Sequence, residues 1–335
     1  MVQKIIWISV SALQMFQRCK RQWYFRYRDK SIKKGTDYPR LCGSEVHQHI
    51  SLLYKPTKEP RPFYYKTIRN AVGAWMSRWG RALEANRDKI NFINLEEEET
   101  YSQVGAICVA NYFKANQSLP HPIEIEKRYE FFIRPGINLI GVFDQVRQAS
   151  LEYIKSKRPE LIQQGRLIDG YDPVVIIDLK TGRDSFEVKP GDPNFKKKMR
   201  KQYELHQNLQ ATAYIYLYEQ VKGKKPIGFC WYHLRSNKAF FTFRTEKDYT
   251  VLFDVIDDFL DSLNANFFPK HVGKHCYWCD YVKECYGEQS ILISPSEEIG
   301  DSQGQLQLIP NVKKPQSKQL KLKIRVPRIK KDPPL

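Results

Sequence analysis

The segment Val174-Val175-Ile176-Ile177-Asp178-Leu179-Lys180-Thr181-Gly182 constrains this chain more than any other. A continuous apolar run that ends in an acid predicts a strand buried on both faces, and such strands lie in sheets covered by helices on either side. Period-two alternation puts Asp178 and Lys180 on one face. An acid there can hold a divalent cation. A lysine there can orient or deprotonate a water, or stabilise charge on a phosphorane. The Leu179 carbonyl between them can be a further oxygen ligand, and a hard, oxygen-rich site suits Mg²⁺ or Mn²⁺. Taken alone, D-x-K is also what a surface ion pair at a strand end looks like.

Three other segments bear on the choice. Leu139-Ile140-Gly141-Val142-Phe143-Asp144 is a second β-rich run that delivers an acid about one strand upstream, where an isolated Asp144 would read as a turn residue. Gly43-Ser44-Glu45-Val46-His47 opens a helix and offers His47 as a ligand that would tilt the site toward Mn²⁺; a surface or capping histidine is the plain alternative, and His49 competes with it. Gln210 and Tyr214 stand i,i+4 on one helix face, ordinary helix composition by itself. A glutamine there can orient the lysine or a phosphate, and a tyrosine can reach a nucleic-acid backbone.

The rest of the chain supplies a frame. Ser9 or Ser11 caps a helix to about Arg28, a second starts near Ser44, and residues 63–88 and 97–117 are helical. Ile123–Ile133 and Asn138–Val146 form a hairpin about Arg134-Pro135-Gly136. Residues 149–172 are a charged insertion without a clear pattern. A long helix over Met199–Gln220, a hairpin over Ile227–Leu234 and Ala239–Arg244, and a helix over Asp248–Asn264 complete the sequence of elements.

In this order, G-x-x-x-H, G-x-x-D, D-x-K-T-G and Q-x-x-x-Y resemble the RecB-like branch of the PD-(D/E)xK nuclease superfamily, over roughly residues 9–286. The resemblance implies an α/β core of the restriction-endonuclease type, a mixed central sheet flanked by helices. It implies His47, Asp144, Asp178 and the Leu179 carbonyl as metal ligands, Lys180 as catalytic, and supporting roles for Gln210 and Tyr214. The expected divisions are a helical region at 1–120, the nuclease core at 121–268, a cysteine-rich loop at 269–289 and a disordered basic tail at 290–335. The expected activity is hydrolysis of DNA, as an exonuclease on single strands or ends. The competing reading is a catalytically idle scaffold that holds DNA or a partner with the same fold.

Cys276, Cys279 and Cys285 are spaced C-x2-C-x5-C. On spacing alone zinc is at least as good a reading as iron–sulfur, with His275 or His271 able to complete the site. An additional cysteine far upstream, Cys19, makes the set resemble the iron–sulfur subset of these nucleases, the AddB and CRISPR-adaptation exonuclease type. That resemblance implies a structural 4Fe–4S cluster on Cys19, Cys276, Cys279 and Cys285. Lys20 stands where members of that subset often carry proline. Cys42, Cys108 and Cys230 lack such spacing and read as buried packing residues.

The formal charge of +18 favours a polyanionic partner, and DNA fits that expectation. Residues 311–335 carry +8 of it, which leaves the body basic at +10. Arg18, Lys20, Arg21, Arg26 and Arg28 interleave with Trp23, Tyr24, Phe25 and Tyr27, the composition either of a single-strand-binding surface or of an amphipathic helix with aromatic core residues. Lys196, Lys197, Lys198, Arg200 and Lys201 read equally as a solvated face or a phosphate-binding run. Gln305-Leu306-Gln307-Leu308-Ile309 resembles the short peptide that docks on a sliding clamp, with Ile309 in place of its usual aromatic. No G-x-x-x-x-G-K-(S/T) occurs, so a helicase or recombination motor would be a partner and not part of this chain. No apolar run reaches the ~18 residues of a membrane helix. The odd count of seven cysteines gives no disulfide framework, so the expected compartment is the cytoplasm.

Overall fold

The computed structural model describes residues 5–29, 31–32, 35–56, 63–90, 93–182, 186–187 and 191–287. The clamp-like peptide at 305–309 and the basic tail lie outside the described residues. The chain divides after Asp280, and Tyr281 opens a second unit.

The strands of the first unit are β1 (Ile6–Ser9), β2 (Glu124–Arg134), β3 (Ile137–Gln148), β4 (Ile162–Gln163), β5 (Arg166–Leu167), β6 (Tyr171–Lys180), β7 (Lys225–His233) and β8 (Lys238–Thr242). Its helices are α1 (Val10–Arg18), α2 (Lys20–Tyr27), α3 (Tyr38–Leu52), α4 (Ile68–Asn86), α5 (Leu95–Asn116), α6 (Leu151–Lys157), α7 (Phe195–His206), α8 (Leu209–Lys222) and α9 (Glu246–Asn264). The sheet is mixed. β2 pairs antiparallel along β3, while β1 pairs parallel with the start of β3 and β6 antiparallel with its end. β7 continues parallel to β6, and β8 closes the edge antiparallel to β7. The expectation of a mixed sheet flanked by helices is met.

The alternation in β6 explains why helices cover both faces. Val174 and Ile176 join a core with α1, α8 and α9, whereas Val175, Ile177 and Leu179 join one with α3, α4 and α5. Helix starts follow their caps. Ser9 accepts from the Ala12 amide, Asp37 from Arg40, Thr67 from Asn70 and Asn94 from Glu96 and Glu97, while Thr245 and Asp248 form a capping box. The expected start of α3 near Ser44 is corrected to Tyr38, because Asp37 caps it and Pro39 fits its first turn.

Two expected long helices are each two. At Cys19 the backbone is extended (φ −161°, ψ 112°) and separates α1 from α2. Between α7 and α8, Asn208 caps a new helix by accepting from the Gln210 amide. Arg244, buried at 2% exposure, crosses that break: its guanidinium donates to the Leu205 and Asn208 carbonyls, which also accept from the Asn208 and Thr212 amides. Burial pushes the Arg244 pKa down to about 10. Strand β1 was not anticipated. The insertion at 149–172 resolves into α6 and the small β4–β5 hairpin, turned on Gln164 and Gly165 at φ +48° and +75°.

The aromatics of α2 are largely core. Trp23 stacks on Phe268 with centroids 5.4 Å apart and meets Phe16 and Phe259 edge-on. Phe25 is also buried, and Tyr27 stays exposed. Cys42, Cys108 and Cys230 are buried, and burial pushes each thiol up to about 12. None of the helices among the described residues is long and apolar enough to cross a membrane.

Candidate active site

The site forms where a ladder stops. The antiparallel pairing of β3 with β6 runs from Gln148–Val174 to Gln145–Ile177. The next rung would join Asp144 to Asp178, and there the strands part. The Leu179 amide, just past the last rung, donates instead to Asp144 Oδ2 at 2.7 Å. On the other edge of β3, Ile125 pairs with Gln145 and Lys127 with Phe143, so Glu126 of β2 stands across from Asp144. Glu126 adopts φ +48°, a conformation few non-glycine residues take. Three acids thus occupy successive positions across β2, β3 and β6. Like charges set opposite one another in a sheet repel.

Cations and amides surround this row. His47, projecting from α3, brings Nδ1 to 3.3 Å from Asp144 Oδ1. The ligand atoms of His47, Glu126 and Asp144 all lie within 4.8 Å of one another, and no other His, Cys, Asp or Glu group among the described residues is so gathered. Asp178 stands outside that trio. Its Oδ1 accepts from Gln210 Nε2 at 2.7 Å, and its Oδ2 lies 2.6 Å from Lys180 Nζ. The latter contact is an ion pair without hydrogen-bond geometry, which leaves Oδ2 buried and lacking a directional partner. Gln210 also brings Oε1 to 3.5 Å from Lys180 Nζ, so one amide spans acid and lysine.

The charges follow from this crowding. Burial pushes the Asp178 carboxyl up, and Asp144 adds to the rise against the opposing Lys180. Burial works against the Lys180 ammonium, yet Asp178 and Asp144 outweigh it and hold its pKa above the ordinary lysine value. Burial likewise opposes the His47 imidazolium, and Asp144, Asp178 and Glu126 outweigh it. Desolvation and Asp144 raise Glu126. An imidazole and three carboxylates, one of them with a buried oxygen that lacks a directional partner, match the donor set of Mg²⁺ or Mn²⁺.

The other residues named from sequence fall as follows. Tyr214 is buried, and its hydroxyl donates to the Val142 carbonyl at 2.9 Å. Through that bond Tyr214 braces β3 from α8. Gly141 permits that packing: a Cβ there would stand 2.9 Å from Leu217 Cδ1 and 3.1 Å from the rings of Phe143 and Tyr214. His49, the competitor of His47, is a core residue. Its Nε2 contacts the Ala71 carbonyl at 3.0 Å, and burial pushes its pKa down to about 4. Glu126 was not read from the sequence.

The cysteines lie elsewhere. Cys19 Sγ accepts from the His271 amide at 3.4 Å, and Cys276 Sγ lies 3.9 Å from the His271 carbonyl oxygen, so one residue separates the two thiols. Cys279 follows a short 3-10 turn, its amide donating to the Cys276 carbonyl at 3.2 Å. Arg40 near the start of α3 holds Asp280 in a two-pronged pair at 2.7 and 2.5 Å. Cys285 belongs to the second unit, on its short helix Val282–Tyr286.

A mixed sheet whose adjoining strands deliver acids and a lysine to one parting point defines a class of metal-assisted hydrolase. A family model for the PD-(D/E)XK nuclease superfamily matches residues 7–156 and 166–286. The chain belongs to that superfamily, whose members are in general metal-dependent nucleases. No curated protein matches the chain.

Proposed function

We propose that this protein is a divalent-metal-dependent deoxyribonuclease acting on single strands or DNA ends. The observation that carries it is the convergence of His47, Glu126, Asp144, Asp178, Lys180 and Gln210 where β3 and β6 part. His47, Glu126, Asp144, Asp178 and the Leu179 carbonyl would hold Mg²⁺ or Mn²⁺. The cation, when bound, polarises the scissile phosphate and lowers the pKa of a water. Lys180, held as an ammonium by Asp178, orients the attacking water and meets charge developing on the phosphate oxygens. Gln210 fixes both Asp178 and Lys180, so their geometry is set before substrate arrives. In-line attack leaves a 5′-phosphate and a 3′-hydroxyl. The preference for ends rests on the subset of nucleases that the sequence resembles.

The cysteines are assigned a structural 4Fe–4S cluster on Cys19, Cys276, Cys279 and Cys285. Its support is that resemblance, together with the approach of Cys19 and Cys276 to the two sides of His271. Zinc on the same thiolates is the second reading.

The test is an anaerobic assay with end-labelled single- and double-stranded DNA plus Mg²⁺ or Mn²⁺, alongside the visible absorption spectrum. Metal-dependent degradation is expected, with Lys180→Ala reducing the rate by at least about 100-fold. Undiminished degradation by that variant, or after chelation, refutes the site. A colourless preparation with stoichiometric zinc refutes the cluster.

A further inference from the structure

A cleft of about 380 Å³ opens beside Lys180. Its walls include Thr181 and Gly182 after β6, Cys42 on α3, Tyr101 and Val104 on α5, and Arg235 after β7. The elements that build the acid row build this cleft too. Thr181 directly follows Lys180, and Cys42 precedes His47 by five residues on α3, a rise of roughly 7.5 Å. A Cβ on Gly43 would stand 3.4 Å from Thr181 Oγ1, which shows how closely α3 and the end of β6 approach.

Arg235 is the telling residue. Asn111 fixes its backbone by donating to the Leu234 and Arg235 carbonyls at 2.9 and 3.0 Å. Its side chain is half-buried, and among the described residues its guanidinium makes no ion pair and no hydrogen bond. A half-buried guanidinium on a cleft wall suits an anionic ligand. Tyr101, Val104, Thr100 and Thr181 line the same cleft. Together they complement a nucleotide: the cation suits its phosphate, and the ring and aliphatic wall suit its base. The volume lies in the range of small-ligand sites.

We propose that this cleft seats the nucleotide next to the scissile phosphate, with Arg235 on its phosphate and its base against Tyr101 and Val104. The placement beside a scissile bond rests on the nuclease reading; the affinity for a nucleotide does not. Two measurements separate them. In the first, full-length protein in EDTA, where no turnover occurs, is titrated against a fluorescent dodecathymidylate and followed by anisotropy. Arg235→Ala should weaken binding about tenfold, Arg235→Lys should retain most of it, and Lys247→Ala, an exposed cation on α9, should bind as the wild type does. In the second, single abasic residues are moved along a cleavable oligonucleotide. One position adjoining the cut should raise KM about tenfold, and Tyr101→Ala should abolish that position dependence. Equal binding by Arg235→Ala and Lys247→Ala overturns the cleft, as does an abasic series without position dependence. If the wild type cleaves no DNA, the nuclease reading fails, and the anisotropy arm alone decides whether the cleft binds a nucleotide.

Discussion

Glu126→Gln isolates one negative charge in the acid row and leaves the shape of the side chain almost unchanged. In the structure the Glu126 carboxylate lies within 4.8 Å of ligand atoms on both His47 and Asp144, and the residue is exposed, so water screens it. Two unit charges 4 Å apart in bulk water interact by about 1 kcal/mol, so a dication and a carboxylate interact by about 2 kcal/mol. That value is a floor, because Asp144 beside it is buried. The dissociation constant for Mn²⁺ should therefore rise about 30-fold. Calorimetric titration of the metal-free protein, without DNA, reads this directly, with Asp254→Asn on α9 as the control for general charge. Thermal unfolding gives a second readout, since saturating Mn²⁺ should stabilise the variant about 2 kcal/mol less than the wild type. Without metal the variant should be no less stable than the wild type, because a like-charge neighbour of Asp144 has gone. Mn²⁺ affinity within threefold of the wild type, in a series where Asp144→Asn does abolish binding, would show that Glu126 is a bystander.

Other consequences concern the scaffold. His49 is buried neutral with a pKa near 4 against an ordinary value of 6.5, so its contribution is complete above pH 6.5 and is lost as pH falls toward 4. That difference amounts to about 3 kcal/mol; His49→Gln should flatten the slope of urea-unfolding stability in this window, and an unchanged slope would refute it. Tyr214→Phe removes the hydroxyl that donates to Val142 and should cost about 1 kcal/mol, with a smaller loss of activity than Lys180→Ala. Gly141→Ala should lower the melting temperature by forcing Tyr214 and Leu217 off β3, at a cost of about 1–3 kcal/mol.

The sequence was most readable where local rules and tertiary structure agree. The apolar run of β6 announced a doubly covered strand, and the Pro135-Gly136 turn announced the β2–β3 hairpin, with Gly136 at φ +76°. Asp144, Asp178 and Lys180 could be named because each is a charged residue set directly after or within an apolar, β-rich run. Glu126 could not. Counting back residue for residue from the turn puts Lys127 opposite Asp144, but the register slips between Phe132 and Arg134 and moves Glu126 into that place. A bulge of this kind leaves no dependable mark in sequence. The break at Cys19 carries no side-chain capping bond, and its thiol instead accepts from the His271 amide, far along the chain. Arg244 likewise reaches the break before Asn208 from far along the chain.

The unmade rung between Asp144 and Asp178 sets the stability of this fold against its chemistry. One further pair between β3 and β6 would lengthen the central ladder and satisfy more backbone in a buried place. It would also press two carboxylates together and withdraw the Leu179 amide from Asp144. A search for heat-resistant variants would thus be drawn toward closing the gap, and its winners would gain melting temperature as they lost turnover.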